Sequence, residues 1–236
     1  MEKKAKVAAK KPARPAPRKR RAIGRPSAET EGVGREGLIE MTCELLRILP
    51  PAQVTRAEVA RYANVDPSLI RYYFKDRSAL LVAATERLTD RFAKILLDVA
   101  KNSGDDPESK LRARVTALMD LIISYPFFHR LFVEELIATG SPEGEKLFRD
   151  IALKGVRGYE GIISEGTAKG VLRDVDAGYL FLAIIGMTEF FLGGLPVLKV
   201  ARGAKLDQKQ ATEDYREFVI ELLLNGLRAQ KKSRKS

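Results

Sequence analysis

Five residues between positions 67 and 75 carry the chemistry that is needed to contact a nucleic-acid duplex. They share one polar and basic face of a predicted helix, because they are spaced one, three or four positions apart: Pro67, Ser68, Arg71, Tyr72 and Lys75. Arginine can make two hydrogen bonds to a guanine edge, whereas tyrosine hydroxyls, lysines and helix N-termini hold phosphates. The major groove accepts one α-helix, so the pattern predicts that this helix reads DNA. A solvated basic face on an ordinary helical hairpin is the alternative interpretation.

The preceding segment predicts a second helix and a tight turn. Thr55 and Glu58 have the spacing of a capping box, in which the two side chains cap the start of a helix. Asn64 tolerates the left-handed backbone of a turn, Asp66 can cap the next helix, and Pro67 suits its first position. The small and apolar residues that would hold the two helices together are Val59, Ala60, Ala63, Val65, Ile70 and Phe74. These features predict a helix-turn-helix over about residues 55–74.

Apolar periodicity predicts helices along the rest of the chain and no strand. Pro50-Pro51 ends a first helix that starts near Arg35, and Gly170 ends a long helix further on. We therefore expect an all-α fold of about nine or ten helices, with an N-terminal three-helix helix-turn-helix head and a C-terminal helical body. The predicted helices outside the motif cover about 35–49, 77–101, 108–124, 127–138, 143–169, 177–192 and 208–229, with a loop over 193–206.

Positive charge is concentrated at the two ends of the chain. The formal net charge is +11, and residues 1–26 contain 11 Lys and Arg and one Glu, while residues 228–236 contain five Lys and Arg and no acid. Basic ends attract polyanions, and nucleic acid is the usual partner. The Gly24-Arg25-Pro26 core is slim enough to place Arg25 in a narrow minor groove, with loose attraction to phosphates as the alternative.

Composition also predicts how the chain is divided. We expect a disordered basic arm (1–33), a DNA-binding domain (34–78), a ligand-binding and dimerisation domain (79–230) and a basic tail (231–236). The leading interpretation is a regulator that chooses its DNA sequence through the head. The alternative is an architectural protein that binds DNA mainly through its basic ends, and the two differ in whether sequence preference survives removal of the arm.

Other functional classes find little support in the residues. A single cysteine, Cys43, excludes an internal disulfide and a multi-cysteine zinc site. A signal peptide requires an apolar region after its basic start, and no such region follows the basic N-terminus of this sequence. Glu189, Gly193-Gly194 and Pro196 interrupt the most apolar stretch, which therefore predicts a buried helix and no membrane span. Without a nucleophile–base pair or a carboxylate dyad, an all-α enzyme is the least favoured class. We expect a cytoplasmic protein with no cofactor and no metal.

The stretch from about residue 35 to residue 88 resembles the DNA-binding head of the tetracycline-repressor (TetR/AcrR) family of bacterial regulators. The matching residues are Thr55, Val59-Ala60, Ala63-Asn64-Val65-Asp66, Ile70-Arg71-Tyr72-Tyr73-Phe74, Arg77 and Leu80-Leu81. The body is similar to the family only at Tyr125-Pro126 and over residues 170–176. Arg71 stands where tyrosine is usual, and Asn64 where glycine is usual. The resemblance implies a homodimeric, ligand-responsive repressor that binds a double-stranded DNA operator.

The resemblance also implies a set of DNA contacts. Phosphates would be held by Thr55, Arg56 and, at the start of the next helix, Arg77. Bases would lie near Pro67, Ser68 and Leu69. Contact positions on the same helix would be occupied by Arg71 and Tyr73, beside Tyr72 and Lys75.

The body is expected to bind a small-molecule effector and to form the dimer. The resemblance implies a cavity, for which the candidate residues are Met119, Phe128, His129, Phe132, Tyr159 and Glu189. Plain core is the alternative for such apolar spacing. One histidine beside two glutamates does not make a zinc site, which needs three or four ligands. Helices at about 177–192 and 208–229 have apolar faces that could form a four-helix interface between two copies, with internal packing as the alternative. The residues leave open the operator, the effector and whether the effector weakens or strengthens DNA binding.

Overall fold

A computed structural model describes residues 33–138, 140–203 and 206–229. Over these residues the fold has nine α-helices and no strand, which confirms the predicted all-α class. The helices are α1 (Arg35–Ile48), α2 (Arg56–Tyr62), α3 (Pro67–Tyr73), α4 (Arg77–Asn102), α5 (Pro107–Ser124), α6 (Phe128–Arg130), α7 (Pro142–Ala168), α8 (Ala177–Arg202) and α9 (Gln208–Leu227). A 3-10 turn, Pro51–Gln53, precedes α2, and α6 continues as a π-helical segment, Leu131–Ile137. The predicted arm lies outside the described residues apart from its last residue, Val33, and the predicted basic tail lies entirely outside them.

Short polar side chains cap the starts of most helices. A capping oxygen accepts a backbone N–H that has no partner inside the helix, which stabilises the end by about 1 kcal/mol. The predicted cap Asp66 is confirmed, because its carboxylate accepts from the N–H of Ser68 at 2.7 Å. Asp176 caps α8 in the same way, accepting from the N–H of Tyr179 at 2.9 Å. The further caps are Thr55, Asp76, Asp106, Ser141 and Asp207. Gly170, at φ +68°, ends α7 as predicted.

The buried apolar residues form two clusters, which we call the head core and the body core. The head core contains residues of α1, α2, α3 and α4, among them Leu38, Leu45, Val59, Ile70 and Leu88. It also includes Leu131 from the π-helical segment. The body core joins α5, α7, α8 and α9 and includes Leu111, Met119, Tyr159, Ile184 and Val219. The N-terminal half of α4 lies in the head core, and α4 also packs against α5 and α7. This helix therefore connects the head to the body.

A row of aromatic rings continues from α4 into the body. Phe92 meets Tyr125 and Phe128 edge to face, with ring centroids 5.3 and 4.9 Å apart. Phe128 contacts Phe132 at 4.5 Å, and Phe132 reaches Phe148 of α7 at 6.2 Å. Edge-to-face pairs of this kind stabilise packing beyond simple burial. The row fixes the π-helical segment against α4 and α7.

The predicted loop over residues 193–206 is wrong in its first ten residues, because α8 continues to Arg202. Gly193-Gly194 and Pro196 were expected to end the helix near residue 192. Pro196 removes only one backbone donor, and Leu195 remains packed at 9% exposure, so the helix tolerates these residues. The extension gives α8 26 residues.

Candidate nucleic-acid interface and effector site

The helix-turn-helix is held in shape by local hydrogen bonds. The Thr55 hydroxyl accepts from the N–H of Glu58 at 3.1 Å, which is one half of the predicted capping box. The other half is absent, because the N–H of Thr55 donates to the Gln53 carbonyl and the Glu58 carboxylate pairs with Arg61. Asn64 adopts the predicted left-handed backbone, at φ +52°.

The inner face of α3 packs into the head core. Ile70 and Phe74 are 0% and 2% exposed, as the motif requires. Leu69 is 8% exposed in the same cluster, so its predicted position near bases is wrong for the side chain. Leu69 and Ile70 are neighbours about 100° apart on the helix, and both side chains belong to the head core. Leu69 therefore supports the helix instead of reading DNA.

The outer face of α3 is exposed along its length. Pro67, Ser68 and Arg71 are exposed, Tyr72 is 79% exposed, and Lys75 follows at the end of the helix. Tyr73 is 36% exposed, and its ring meets that of Tyr72 edge to face at 4.9 Å. Arg71 and Tyr73 both lie outside the protein interior, and recognition of a duplex requires this exposure. Hydrogen bonds from Ser68 lower the pKa of the Asp66 carboxyl at the start of this face.

The two residues that open α2 lie beside this surface. The Thr55 side chain is exposed, and Arg56 is half-buried with its Nη1 donating to the Lys75 carbonyl at 3.1 Å. Arg56 therefore joins α2 to the end of α3. Its position next to Lys75 is compatible with the predicted phosphate contact, which stays a prediction. Arg25, the predicted arm contact, lies outside the described residues.

Arg77, predicted to hold a phosphate, is instead engaged inside the protein. Its Nη1 and Nη2 atoms donate to the two carboxylate oxygens of Glu135 at 2.5 and 2.8 Å. Its Nε donates to the Val54 carbonyl at 3.0 Å, and Nη2 also donates to the Pro51 carbonyl. These hydrogen bonds link the head to the π-helical segment of the body. A guanidinium with these partners has little capacity left to bind a phosphate.

Replacing Arg77 with alanine tests this link. The pair is largely shielded, with side-chain exposures of 31% and 11%, so we expect Arg77→Ala to lower the free energy of unfolding by about 2–4 kcal/mol. Urea denaturation of the purified protein measures the change. Arg130→Ala removes an exposed pair with Glu134 and should cost less than about 1 kcal/mol. An Arg77→Ala protein of unchanged stability but weakened DNA binding would restore the phosphate role.

The contacts of the predicted effector residues fall into three groups. Met119 and Tyr159 lie in the body core, and Phe128 and Phe132 belong to the aromatic row. His129 has its Nδ1 3.2 Å from Oε2 of Glu189 on α8. Burial raises the pKa of the Glu189 carboxyl, and the nearby His129 partly opposes that rise. The assignment of these six residues to an effector site stays a prediction.

Two cavities lie elsewhere on the described surface. One of about 540 Å³ lies where α4 begins and α7 begins, between residues such as Lys75, Asp76 and Ser141. The other, of about 270 Å³, lies between the end of α8 and the start of α9. None of the six predicted effector residues lines either cavity.

The sequence analysis overlooked Arg114 and Glu135. Arg114 lies in α5 with its guanidinium against Gly155 and Tyr159 of α7, and Glu135 receives Arg77. No periodicity marks Glu135, because its partner is 58 residues away. Gly155 and Gly158, three residues apart inside a helix, were the available signal for Arg114, since interior glycines indicate a close approach.

A continuous apolar stripe runs along the outside of α8. Its residues are separated by three, seven or eight positions and are exposed by 63% to 87%: Tyr179, Leu182, Phe190, Val197 and Val200. Gly186 and Gly193 lie in the same row, with open space where a Cβ would stand. The opposite side of the helix packs in the body with Leu180, Ile184 and Thr188. The helix is long and apolar enough to cross a membrane by length and composition, but this two-sided pattern favours a protein partner on one side.

Comparisons with known proteins agree with this architecture. The family model described as "Tetracyclin repressor-like, C-terminal domain" matches residues 105–233. The HTH-type transcriptional repressor NicS of Pseudomonas putida is 28% identical over 177 residues, which are 72% of this chain and 81% of NicS. These matches cover the body and most of the chain.

Two solved structures share the fold. A transcriptional regulator from Saccharomonospora viridis in complex with choline aligns with a TM-score of 0.65 and 17% identity, over 83% of this chain and 98% of that one. AibR in complex with isovaleryl coenzyme A and operator DNA aligns with a TM-score of 0.60 and 17% identity, over 80% and 96%. At these identities the likeness concerns the fold alone.

Proposed function

The chain belongs to the tetracycline-repressor (TetR) family of helix-turn-helix transcriptional regulators, and we propose that it is a homodimeric, ligand-responsive repressor in the cytoplasm. The outer face of α3 carries the proposal, because it presents Arg71, Tyr72 and Lys75 to solvent over a packed inner face. Two such heads would read half-sites roughly 34–36 Å apart on a near-palindromic operator. The predicted division at about residues 34–78 and 79–230 is part of this proposal, with α4 shared between the two parts.

The stripe on α8 supports a homodimer. Phe218 and Leu222 of α9 add 59% and 53% exposed side chains, four positions apart. Two copies that pair α8 and α9 would build a four-helix interface, and the open positions at Gly186 and Gly193 would let the backbones approach. Apolar surface of this extent is costly to leave in water, and a two-fold partner covers the same patch on both copies.

The connection from body to head supports an effector response. AibR was solved with both isovaleryl coenzyme A and operator DNA, and the S. viridis protein with choline, so relatives of this fold bind small molecules. In this chain α4 and the Arg77–Glu135 pair join the body to the head. An effector that prefers one head spacing would shift the population of the dimer and change its DNA affinity.

Selection of bound fragments from random DNA tests the proposal. We expect the full chain to enrich a near-palindromic sequence. A variant without residues 1–26 should keep that sequence choice while its affinity falls and its salt dependence becomes shallower by about 0.9 per lost phosphate contact. Fluorescence anisotropy at several salt concentrations measures both. Loss of all sequence preference in the shortened chain would instead favour the architectural function.

A further inference from the structure

Arg114 is a half-buried charged residue of the body to which the proposed function assigns no role. It lies in the middle of α5, with its Cζ 4.9 Å from the ring centroid of Tyr159. Its Nη2 makes a long hydrogen bond of 3.4 Å to the Gly155 carbonyl of α7. The guanidinium is therefore wedged between α5 and α7, on the side of the body core.

The charge of Arg114 lacks a carboxylate partner among the described residues. Most other half-buried arginines have one, as in the pairs of Arg77 with Glu135, Arg91 with Glu40 and Arg216 with Asp120. Arg56, at the proposed DNA surface, shares this lack. The Nε of Arg114 is buried and has no acceptor. Burial lowers the pKa of the guanidinium, and nearby Tyr159 opposes this only in part.

Two glycines of α7 make room for this side chain and for a neighbouring aromatic ring. A Cβ at Gly158 would overlap the Arg114 guanidinium, and a Cβ at Gly155 would stand 2.6 Å from the Phe181 ring of α8. Glycine inside a helix costs about 1 kcal/mol relative to alanine. The helix therefore carries two unfavourable residues at the positions that admit an arginine and an aromatic ring.

The surroundings of the guanidinium are apolar. Tyr159 is 1% exposed, and Phe181 lies 6.1 Å from it between ring centroids. Met119 belongs to the same body core, and Val156 packs against it. An unpaired cation with apolar neighbours matches a molecule that has one anionic group and an apolar body, because a guanidinium binds carboxylate and phosphate oxygens in pairs.

We propose that Arg114 anchors the effector of this regulator, and that the effector is a small amphiphilic anion whose oxyanion binds the guanidinium. The inference rests on the proposed function and gives the chemical class of its ligand. The apolar body of the effector lies against Tyr159 and Phe181. Because α5 packs against α4, a change at Arg114 has a direct route to the head.

The test uses the full chain and three probes of equal chain length: octanoate, octanamide and octyl phosphate. We expect millimolar octanoate to raise the melting temperature of the wild type and octanamide to leave it unchanged. Arg114→Met should weaken octanoate binding about 10–100-fold, the value for a lost charged hydrogen bond. Arg112→Met is the matched control, since Arg112 lies on the same helix but pairs with Glu217 and Glu221, and it should keep octanoate binding. A stronger effect of octyl phosphate would identify a phosphate as the anionic group.

Measurements without a probe separate an anchor from a structural residue. Removal of an uncompensated charge should leave the melting temperature of Arg114→Met unchanged or raise it by about 2–4 °C. A clear fall, equal binding of octanoate and octanamide by the wild type, or unchanged octanoate binding by Arg114→Met would each overturn the proposal. DNA binding of the selected operator is measured separately on both proteins. Its absence in the wild type would contradict the proposed function while the probe measurements still decide the role of Arg114.

Discussion

Arg71→Ala should reduce the affinity of the protein for its selected operator by about 30-fold or more. One arginine paired with a guanine contributes about 1–3 kcal/mol, and a dimer would place two copies of Arg71 on the operator. The combined loss of about 2–6 kcal/mol corresponds to a factor between about 30 and 10⁴. Arg71 is exposed and makes no hydrogen bond or ion pair within the described residues, so the fold should be unaffected. Anisotropy with labelled operator measures the change, and urea denaturation checks stability.

Two further variants show what kind of contact Arg71 makes. Arg71→Lys keeps the positive charge but cannot form two parallel hydrogen bonds with one base, so it should bind DNA with reduced sequence preference. Arg149→Ala removes an exposed arginine from α7, far along the chain from the motif, and should leave operator affinity within about twofold. If Arg71→Lys bound like the wild type, the residue would hold a phosphate. If Arg71→Ala bound like the wild type, the outer face of α3 would not be the reading surface.

The helix-turn-helix could be predicted because its determinants are local in sequence. Asn64 at φ +52° and Asp66 at the start of α3 are properties of residues next to one another. Turn and capping preferences depend mainly on such neighbours, so they are visible without the fold. The glycine usual at position 64 in the family is replaced by Asn64, which can still adopt the required conformation. The all-α class followed from the same local periodicity.

The roles that the sequence analysis missed depend on contacts between distant residues. Arg77 follows the motif at the spacing of a phosphate contact, but Glu135 and the carbonyls of Pro51 and Val54 occupy its donors. Leu69 is one residue from the outer face, and only the packing of α3 on the head core shows that it points inward. Long-range partners of this kind leave no periodic signal in the sequence.

The effector residues were the least predictable part of the molecule. Apolar residues in the body serve both as core and as cavity walls, so their spacing does not tell which of Phe128, Phe132 and Tyr159 would contact an effector. The interior glycines of α7 indicate a close approach, but only the structure shows that Arg114 fills the space beside Gly158. A charge without a partner is a property of three-dimensional neighbours, and composition does not reveal it.

Phe190→Glu should convert the proposed dimer into a monomer and thereby remove specific DNA binding. Phe190 is 82% exposed at the centre of the stripe on α8, so the substitution should not disturb the body core. In a two-fold interface each copy would bury one new carboxylate, at a cost of several kcal/mol per ion. We therefore expect the dimer dissociation constant to rise by at least about 10³-fold. Analytical ultracentrifugation measures the mass, and anisotropy with the selected operator measures the accompanying loss of affinity, since one head alone reads only one half-site.

Leu97→Glu is the matched control for this effect. Leu97 is an exposed leucine of α4, at 60% exposure, and lies outside the stripe. The same charge there should leave both the mass and the operator affinity unchanged. Circular dichroism of both variants should match that of the wild type, because neither residue is buried. A Phe190→Glu protein that remained a dimer would contradict the α8 interface, and a wild-type monomer with full operator affinity would contradict the dimeric mode of DNA recognition.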